Sequence, residues 1–239
     1  MSRAIQSVAV FGATGAIGHA ITHWYDSQGH DVVAISRLPP SATASHPGIR
    51  WLAWDIGKQF ESSSEPSVKK LNAVVWAQGV NFSDDIYSFD LDEHRRIYSA
   101  NVLYVMSSLQ ALLRANLLAP RARLCVISSI WQNIARHNKM SYSVTKSALQ
   151  GLVQSLSIDL GRSGYLINAV LPGALDTPMT SANVSSAQIE RLIEMTPLGK
   201  LSTLDDVCNL VGFLCSPAND TITGQFVAVD GGFSHAKIF

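Results

Sequence analysis

A short apolar run followed at once by three spaced glycines constrains this chain more than any other feature. Residues 7–11, Ser-Val-Ala-Val-Phe, have the apolar character of a buried parallel strand, and Gly12, Gly15 and Gly18 precede a helix-like stretch from about His19 to Gln28. Such glycines let the backbone approach a pyrophosphate, which the N–H groups at the helix start then attract. This order indicates a dinucleotide-binding loop, with an ordinary tight turn as the alternative. The predicted cofactor contacts here are Gly12, Thr14, Gly15, Ala16, Ile17 and Gly18.

Strand-like and helix-like segments alternate along most of the chain. Further strands are predicted at about 31–35, 49–54, 72–77, 122–128, 165–170 and 225–229, and helices at about 90–117, 141–161, 185–195 and 203–215. This alternation favours a parallel sheet covered by helices on both faces. We therefore expect an α/β, Rossmann-type doubly wound sheet in a single domain spanning residues 1–239. The serine-rich segment 62–67 is predicted to be a solvated loop.

The end of the second strand indicates which dinucleotide is bound. In dinucleotide folds, an acidic residue about 20 positions beyond the glycine loop binds the ribose 2′-hydroxyl, whereas a basic residue accommodates a 2′-phosphate. Here the strand ends in Ser36 and Arg37, with no carboxylate. Arg37 can pair with a phosphate that an acidic side chain would repel. The sequence therefore favours NADP over NAD, the alternative being that Arg37 is a solvated loop residue.

A second constellation carries proton-transfer chemistry. Tyr142 and Lys146 are four residues apart in a predicted helix, and Ser129 lies thirteen residues before the tyrosine. Four residues is just over one helical turn, so the phenol and the ammonium share a face. A neighbouring cation favours the phenolate, so we expect the pKa of Tyr142 to be lowered towards a range useful near neutral pH. The group is typical of machinery that acts on a carbonyl or an alcohol.

Composition excludes several other classes of protein. The 239 residues have zero formal charge and a sequence pI of about 7, so no global field points to nucleic acid or an anionic membrane. No apolar stretch reaches the ~18 residues that cross a bilayer, and the amino terminus lacks a signal-peptide layout. The histidines have no metal-ligand spacing, and Cys125, Cys208 and Cys215 suit small core residues in a reducing compartment. We expect a cytoplasmic protein with no metal site.

Further motifs in the right order make the chain resemble the short-chain dehydrogenase/reductase family over nearly its whole length. Asn101 lies on the helix before the serine strand, and Asp55, followed by Ile56, matches the acidic residue beside the adenine ring. The segment after the sixth strand, with Pro172, Gly173, Leu175 and Thr177, matches the part of the family that contacts the nicotinamide. At Ala77, Gln78 and Gly79 the resemblance implies a backbone that passes close to the cofactor, although only Gly79 is the residue usual in the family. Thr196–Lys200 and Gly224–Gly232 match carboxy-terminal signatures of the family.

The resemblance implies an NAD(P)(H)-dependent oxidoreductase that interconverts a ketone and a secondary alcohol. Tyr142 would be the general acid or base, and Lys146 would lower its pKa and bind the nicotinamide ribose. Ser129 would orient the carbonyl, and Asn101 would hold a water that resupplies the proton. Well-known 3-oxoacyl reductases are the nearest pattern. The family's shorter members commonly assemble as tetramers, and the largely uncharged faces of the helix from Tyr142 to Leu160 favour a homodimer or homotetramer.

Two departures from the family pattern leave alternatives open. The spacing of Gly12, Gly15 and Gly18 is typical of longer members, many of them nucleotide-sugar epimerases and dehydratases with a retained NAD. Trp76-Ala77-Gln78-Gly79 stands where Asn-Asn-Ala-Gly is usual, which removes side-chain hydrogen bonds that brace the central strands. A third alternative is a dinucleotide sensor without catalysis.

Specificity is expected to come from residues 174–195 and from Ile130-Trp131-Gln132. Leu175, Met179, Ile189 and Leu192 suggest a partly apolar cover, either a mobile lid or a helix packed on the body of the domain. Trp131 either lines the substrate pocket or has only a packing role. The loop contains no basic cluster, so nothing in it indicates a phosphate or an acyl-carrier partner.

Overall fold

Seven parallel strands form one sheet in the order β3-β2-β1-β4-β5-β6-β7. The structure, a computed structural model, describes residues 6–38, 46, 48–60, 69–177 and 185–235. The strands are β1 (Ser7–Phe11), β2 (Asp31–Ser36), β3 (Ile49–Ala53), β4 (Leu71–Trp76), β5 (Leu118–Ile127), β6 (Leu166–Pro172) and β7 (Phe226–Val229). Their side chains are mostly buried because helices cover both faces of a parallel sheet.

Two layers of helix enclose this sheet. The helices are α1 (Ala16–Ser27), α2 (Leu91–Tyr98), α3 (Tyr104–Arg114), α4 (Met140–Gly161), α5 (Ser186–Glu194) and α6 (Leu204–Leu214). Leu109 of α3 and Leu149 of α4 belong to the core on one face, whereas Ile21 of α1 and Val207 of α6 belong to the core on the other. The predicted doubly wound α/β fold is confirmed.

The strand order reverses at β1, which pairs with β2 on one side and with β4 on the other. In open α/β sheets of this kind, ligands bind beyond the carboxyl ends of the strands at the reversal point. The segments that follow β1, β4, β5 and β6 meet at this edge, and they carry the predicted loop and site residues.

Two predicted element bounds are wrong. The helix predicted at 90–117 is interrupted by a π-helical turn, Ser99–Leu103, between α2 and α3. Strand β5 begins at Leu118, earlier than predicted, because the pairing of β4 and β5 shifts register and accommodates a proline inside the strand. The serine-rich segment 62–67 and residues 178–184 of the predicted substrate loop lie outside the described residues.

The cysteines are free and buried, as predicted for core residues. Within the described ranges, no group of three or more His, Cys, Asp or Glu side chains is arranged to hold a metal ion. None of the helices in that part of the chain combines the length and the apolar character that crossing a bilayer requires.

Candidate active site

The glycine loop packs against its own backbone so tightly that two of its glycines have no room for a side chain. Gly12 has a φ of 75°, and a Cβ there would lie 2.4 Å from the amide nitrogen of Gln78. A Cβ on Gly18 would lie 2.2 Å from the carbonyl oxygen of Gly12. At Gly15 the nearest atom to an added Cβ, at 3.4 Å, is that same oxygen, so this glycine is not required by packing within the chain. Its outer side is open to a ligand.

The helix that follows presents an uncompensated positive end. Gly15 is the N-cap of α1, no side chain caps it, and the first turn contains no acidic residue. Thr14, Gly15 and Ala16 are exposed, so the free N–H groups of the first turn face outwards. Free amides and the helix dipole together attract an anion. The loop therefore fits a dinucleotide pyrophosphate.

The residues predicted to bind the adenosine end of the dinucleotide lie at the carboxyl ends of β2 and β3. Arg37 is exposed directly after β2, and Asp55 follows β3 with its carboxylate accepting a hydrogen bond of 2.8 Å from the Ile56 N–H. Burial raises the pKa of Tyr104 above its ordinary range, Asp55 raises it further and Arg37 lowers it, so both charges lie near that phenol. Ser36 is buried, and its hydroxyl has no hydrogen-bond partner within the described part of the chain.

Ser129 and Tyr142 are brought together by different elements. Ser129 follows β5 and begins the turn Ile130–Gln132, and Tyr142 lies in the first turn of α4. A hydrogen bond between the two hydroxyls lowers the pKa of the phenol, but burial outweighs it and the pKa of Tyr142 is raised. The predicted lowering of this pKa is therefore wrong, because desolvation disfavours the phenolate.

Lys146 lies beneath the tyrosine, as its spacing predicted. Its Nζ is 5.6 Å from the centre of the Tyr142 ring, and only 4% of the residue is exposed. The ammonium donates a hydrogen bond of 3.2 Å to the carbonyl oxygen of Ile127 at the end of β5. Burial lowers the pKa of Lys146 to about 8, because removing the ammonium from water disfavours its charged form. Near neutral pH the side chain is still mostly a cation.

Asn101 ties three elements together around this lysine. Its amide donates to the Val80 carbonyl at 3.0 Å and to the Thr145 hydroxyl at 2.9 Å, and its oxygen accepts from the Val80 N–H at 2.7 Å. It lies in the π-helical turn, a form that is frequent at functional sites. A Cβ on Gly79 would lie 3.5 Å from Lys146 Nζ and 3.6 Å from the Asn101 side-chain oxygen. The backbone after β4 thus passes close to both side chains.

The buried Lys146 makes the free energy of unfolding depend on pH. Its pKa falls from 10.5 to about 8 on folding, so between these values the unfolded chain binds more protons and the free energy of unfolding rises with pH. Ionisation of Tyr142 and of the buried thiols Cys125 and Cys208, whose pKa values are all raised, acts in the opposite direction at alkaline pH. Relative to Lys146→Met, we expect the wild type to gain about 2–3 kcal/mol of unfolding free energy between pH 7 and pH 10, because these other groups are the same in both proteins.

Urea unfolding at four pH values between 7 and 10 measures this difference. Lys58→Met, which removes an exposed lysine after β3, is the matched control and should keep the gain. Equal pH slopes for the wild type and Lys146→Met would contradict the buried charge.

Trp76 takes over the bracing that the unusual Trp-Ala-Gln-Gly segment was expected to lose. Its ring is fully buried, stacks on Phe11 at 5.7 Å and donates from its indole nitrogen to the Ser108 hydroxyl at 2.7 Å. The side-chain oxygen of Gln78 is buried and has no hydrogen-bond partner among the described residues. The central strands are therefore held by aromatic packing at this point.

A cavity of about 1000 Å³ connects the glycine loop with the tyrosine. The predicted site residues along it are Gly15, Ala16, Ile17, Ala77, Gly79, Tyr142, Gly173, Leu175 and Thr177. Trp131 and Leu192 line it as well. Pro172 ends β6 beside it, and the Gly173 N–H donates to the carbonyl oxygen of Val229 at 2.9 Å. Of the predicted cover, Met179 lies outside the described residues and Ile189 does not line the cavity.

Several cavity residues were missed by sequence reasoning. Arg136 and His137 come from the segment between Ser129 and α4. Gln188 and Arg191 of α5 also line the cavity, and both lie within the specificity segment predicted at 174–195, where neither was singled out. For Arg136 and His137 the available signal was their position in the chain, between the predicted site residues Ser129 and Tyr142. Phe233, after β7, also lines the cavity and gave no such signal.

Comparisons with known proteins agree with this architecture. A sequence model of the family described as enoyl-(acyl carrier protein) reductase matches residues 12–234. A tropinone reductase homolog of Arabidopsis thaliana is 32% identical over 195 residues, covering 80% of this chain and 60% of that protein. A 3-oxoacyl-(acyl-carrier-protein) reductase of Aquifex aeolicus is 28% identical, covering 93% of this chain and 95% of that protein.

A solved structure of an oxidoreductase of the short-chain dehydrogenase/reductase family from Burkholderia thailandensis superposes with a TM-score of 0.86. It is 25% identical, with 98% of this chain and 94% of that chain covered. The chain spans 60–64% of the length of the first curated relatives that it matches. With the family match extending from the glycine loop to the segment after β7, this chain belongs to the short-chain dehydrogenase/reductase family of oxidoreductases.

Proposed function

We propose that this protein interconverts a ketone and a secondary alcohol, with Tyr142 as the general acid or base and NADP(H) as the favoured cofactor. The observation that carries the proposal is the single cavity that reaches from Gly15 and Ala16 at the start of α1 to the Tyr142 phenol. A ligand bound along that cavity can contact both the amino-terminal end of α1, which attracts a phosphate, and the Tyr142 hydroxyl, which can donate a proton. A bound nicotinamide supplies or accepts the hydride.

Within this proposal, the chain's own side chains position the substrate and move one proton. In the direction of reduction, the Ser129 hydroxyl donates to the carbonyl oxygen and fixes its place beside Tyr142. The phenol, whose pKa is raised by burial, then donates its proton to the developing alkoxide. The Lys146 ammonium stabilises the phenolate that remains, so that a strongly buried anion is not left unpaired.

Reduction and oxidation use the same groups with the proton moving in opposite directions. Asn101 holds the backbone after β4 against α4, and in the proposal it also orders a water that leads from Lys146 to solvent. This water path restores the proton to Tyr142 after each turnover.

The relatives weigh against the alternatives. The spacing of Gly12, Gly15 and Gly18 suggested a nucleotide-sugar epimerase, but the relatives reported above are named as reductases. A sensor without catalysis has no use for the hydrogen bond between Ser129 and Tyr142 or for a lysine buried beneath the phenol. Both observations favour an enzyme.

A panel of ketones and secondary alcohols, followed by nicotinamide absorbance, tests the proposed function. We expect cofactor oxidation with at least one ketone and cofactor reduction with the matching alcohol. Cofactor that copurifies with the protein and shows no net turnover with any panel member would contradict it and favour the epimerase alternative.

Arg37 underlies the proposed preference for NADP. It is exposed beside the adenosine end, and no ion pair within the described ranges involves it. A charge-assisted pair with the 2′-phosphate is worth roughly 1.5–3 kcal/mol, or about 10–100-fold in affinity. We expect calorimetric titration to give tighter binding of NADPH than of NADH, and Arg37→Asp to abolish the difference.

The control for this titration is Arg162→Asp, which reverses the charge of an exposed arginine at the end of α4. It should leave the preference unchanged. Tighter binding of NADH by the wild type would overturn the proposal for Arg37.

Exposed apolar side chains on α4, on α3 and on the π-helical turn before α3 support a proposed homodimer or homotetramer. Val144 and Ile158 of α4 are 48% and 79% exposed, and Leu103 and Met106 are 41% and 47% exposed. Surface helices normally present polar side chains. Light scattering at micromolar concentration should give a dimeric or tetrameric mass that Ile158→Asp reduces, whereas Ile86→Asp, on a loop elsewhere, should not. A monomeric wild type would contradict this assembly.

We further propose that the chain forms one domain and that the protein is cytoplasmic. The free, buried cysteines support the proposed location.

A further inference from the structure

The cavity wall carries positive charge that no acidic lining residue balances. Among the described residues that line it, Arg136, His137 and Arg191 are basic and none is Asp or Glu. Two arginines in the lining favour an anionic ligand, and the proposed cofactor pyrophosphate already has its own site at the glycine loop and the start of α1.

His137 has an acidic neighbour, Asp85, that does not line the cavity. Hydrogen bonds from Ser88 lower the pKa of the Asp85 carboxyl, and the nearby His137 lowers it further. The imidazole therefore lies near the Asp85 carboxylate. The two arginines are different, because no ion pair within the described part of the chain involves either of them.

Arg136 is held against the wall by an aromatic ring. The central carbon of its guanidinium lies 5.7 Å from the centre of the Trp131 ring, and Trp131 meets Phe233 edge-on at 6.3 Å. This cation–π contact leaves the Arg136 guanidinium without a carboxylate partner among the described residues. Its N–H donors suit a carboxylate or a phosphate, which accept two parallel hydrogen bonds.

Arg191 approaches the same cavity from α5. A capping box between Ser185 and Gln188 fixes the start of this helix, and Gln188, Leu192 and Met195 line the cavity together with Arg191. Glu190 and Glu194 are exposed on the same helix and do not line the cavity. Arg136 and Arg191, both exposed to solvent, are the arginines among the described residues that line the cavity.

We propose that the substrate is a ketone that carries an anionic group, a carboxylate or a phosphate ester, which Arg136 and Arg191 bind while the carbonyl lies at Ser129 and Tyr142. This inference rests on the proposed ketone–alcohol interconversion. The anion is at the end of the substrate remote from the carbonyl. Each charge-assisted contact is expected to raise affinity by about 10-fold or more.

Calorimetric titration of protein saturated with NADP⁺ tests the inference without turnover, because the oxidised cofactor cannot reduce a ketone. Two matched pairs serve as probes: 4-oxopentanoate with its methyl ester, and dihydroxyacetone phosphate with dihydroxyacetone. We expect the charged member of at least one pair to bind about 10-fold or more tightly than the neutral member. The pair that shows the difference distinguishes a carboxylate from a phosphate.

Arg136→Gln and Arg191→Gln should each reduce that preference by about 10-fold while leaving NADP⁺ affinity and the binding of the neutral probe unchanged. Arg162→Gln, an exposed arginine that does not line the cavity, is the matched control and should keep the preference. Equal binding within both pairs, failure of both charged probes to bind, or a preference that survives in the double variant would overturn the inference.

Failure of the proposed function gives a different result. If NADP⁺ does not bind, the cofactor proposal is wrong, and the same pairs are titrated into the protein alone. A preference for the anion that Arg136→Gln and Arg191→Gln remove still supports an anion site there, and its absence overturns it.

Discussion

Replacing Tyr142 with phenylalanine is expected to lower kcat by about 10²–10⁴-fold, the usual contribution of a positioned proton donor. The phenylalanine ring keeps the packing over Lys146 and removes only the hydroxyl that is hydrogen-bonded to Ser129. Cofactor affinity should stay close to that of the wild type, because the glycine loop and the start of α1 are untouched. Steady-state kinetics on any active ketone, together with calorimetric titration of NADPH, measure the two effects separately.

Tyr87→Phe is the matched control for this variant. Tyr87 is 96% exposed and lies on a loop before α2, so the loss of its hydroxyl should change neither kcat nor affinity. Turnover by Tyr142→Phe at the wild-type rate would show that the proton comes from another group and that the proposed mechanism is wrong.

The second large effect is expected at Gly18, where alanine should both destabilise the fold and weaken cofactor binding. The added Cβ would lie 2.2 Å from the Gly12 oxygen and 2.8 Å from the Gly12 carbonyl carbon, so backbone has to move. Overpacking of this kind typically removes about 1–3 kcal/mol of stability, which corresponds to a fall in Tm of roughly 3–10 °C for a chain of this size. Because Gly12 is part of the loop that we propose holds the cofactor pyrophosphate, its displacement should also weaken NADPH binding.

Gly161→Ala separates this steric effect from a general effect of losing a glycine. Gly161 ends α4, and an added Cβ would have no heavy atom within 4 Å. Alanine there should be neutral or slightly stabilising, since it restricts the unfolded chain. Thermal unfolding and NADPH titration of both variants provide the comparison, and Gly18→Ala with the Tm and affinity of Gly161→Ala would contradict the packing described for the loop.

The parts of the fold that local sequence determines were predictable. Alternating apolar and helical patterns fixed the number and direction of the strands, and glycines between β1 and α1 fixed the turn. The π-helical turn at Ser99–Leu103 was not predictable, because no local pattern distinguishes it from the helix on either side. Its cause lies in distant contacts, since Asn101 bonds to Val80 and Thr145 on other elements.

The proximity of Tyr142 and Lys146 was predictable from the sequence, whereas the electrostatics of these two groups and several residues of the cavity lining were not. The four-residue spacing placed Lys146 beside Tyr142, but spacing carries no information on desolvation. Burial, which depends on the whole fold, raises the pKa of the phenol and lowers that of the lysine. In the same way, Arg136 and Arg191 are far apart in sequence, and only the fold places them around one cavity.

Transfer of deuterium tests the central claim most directly. The protein is incubated with an accepted ketone and NADPH deuterated at C4 of the nicotinamide, using each C4 epimer in turn, and the product is analysed by mass spectrometry. Ketone–alcohol interconversion predicts that one epimer places a single deuterium on the carbinol carbon and that Tyr142→Phe greatly slows this transfer. Alcohol that contains no deuterium from either epimer, or the absence of alcohol with every ketone of the panel while NADPH is bound, would contradict the claim.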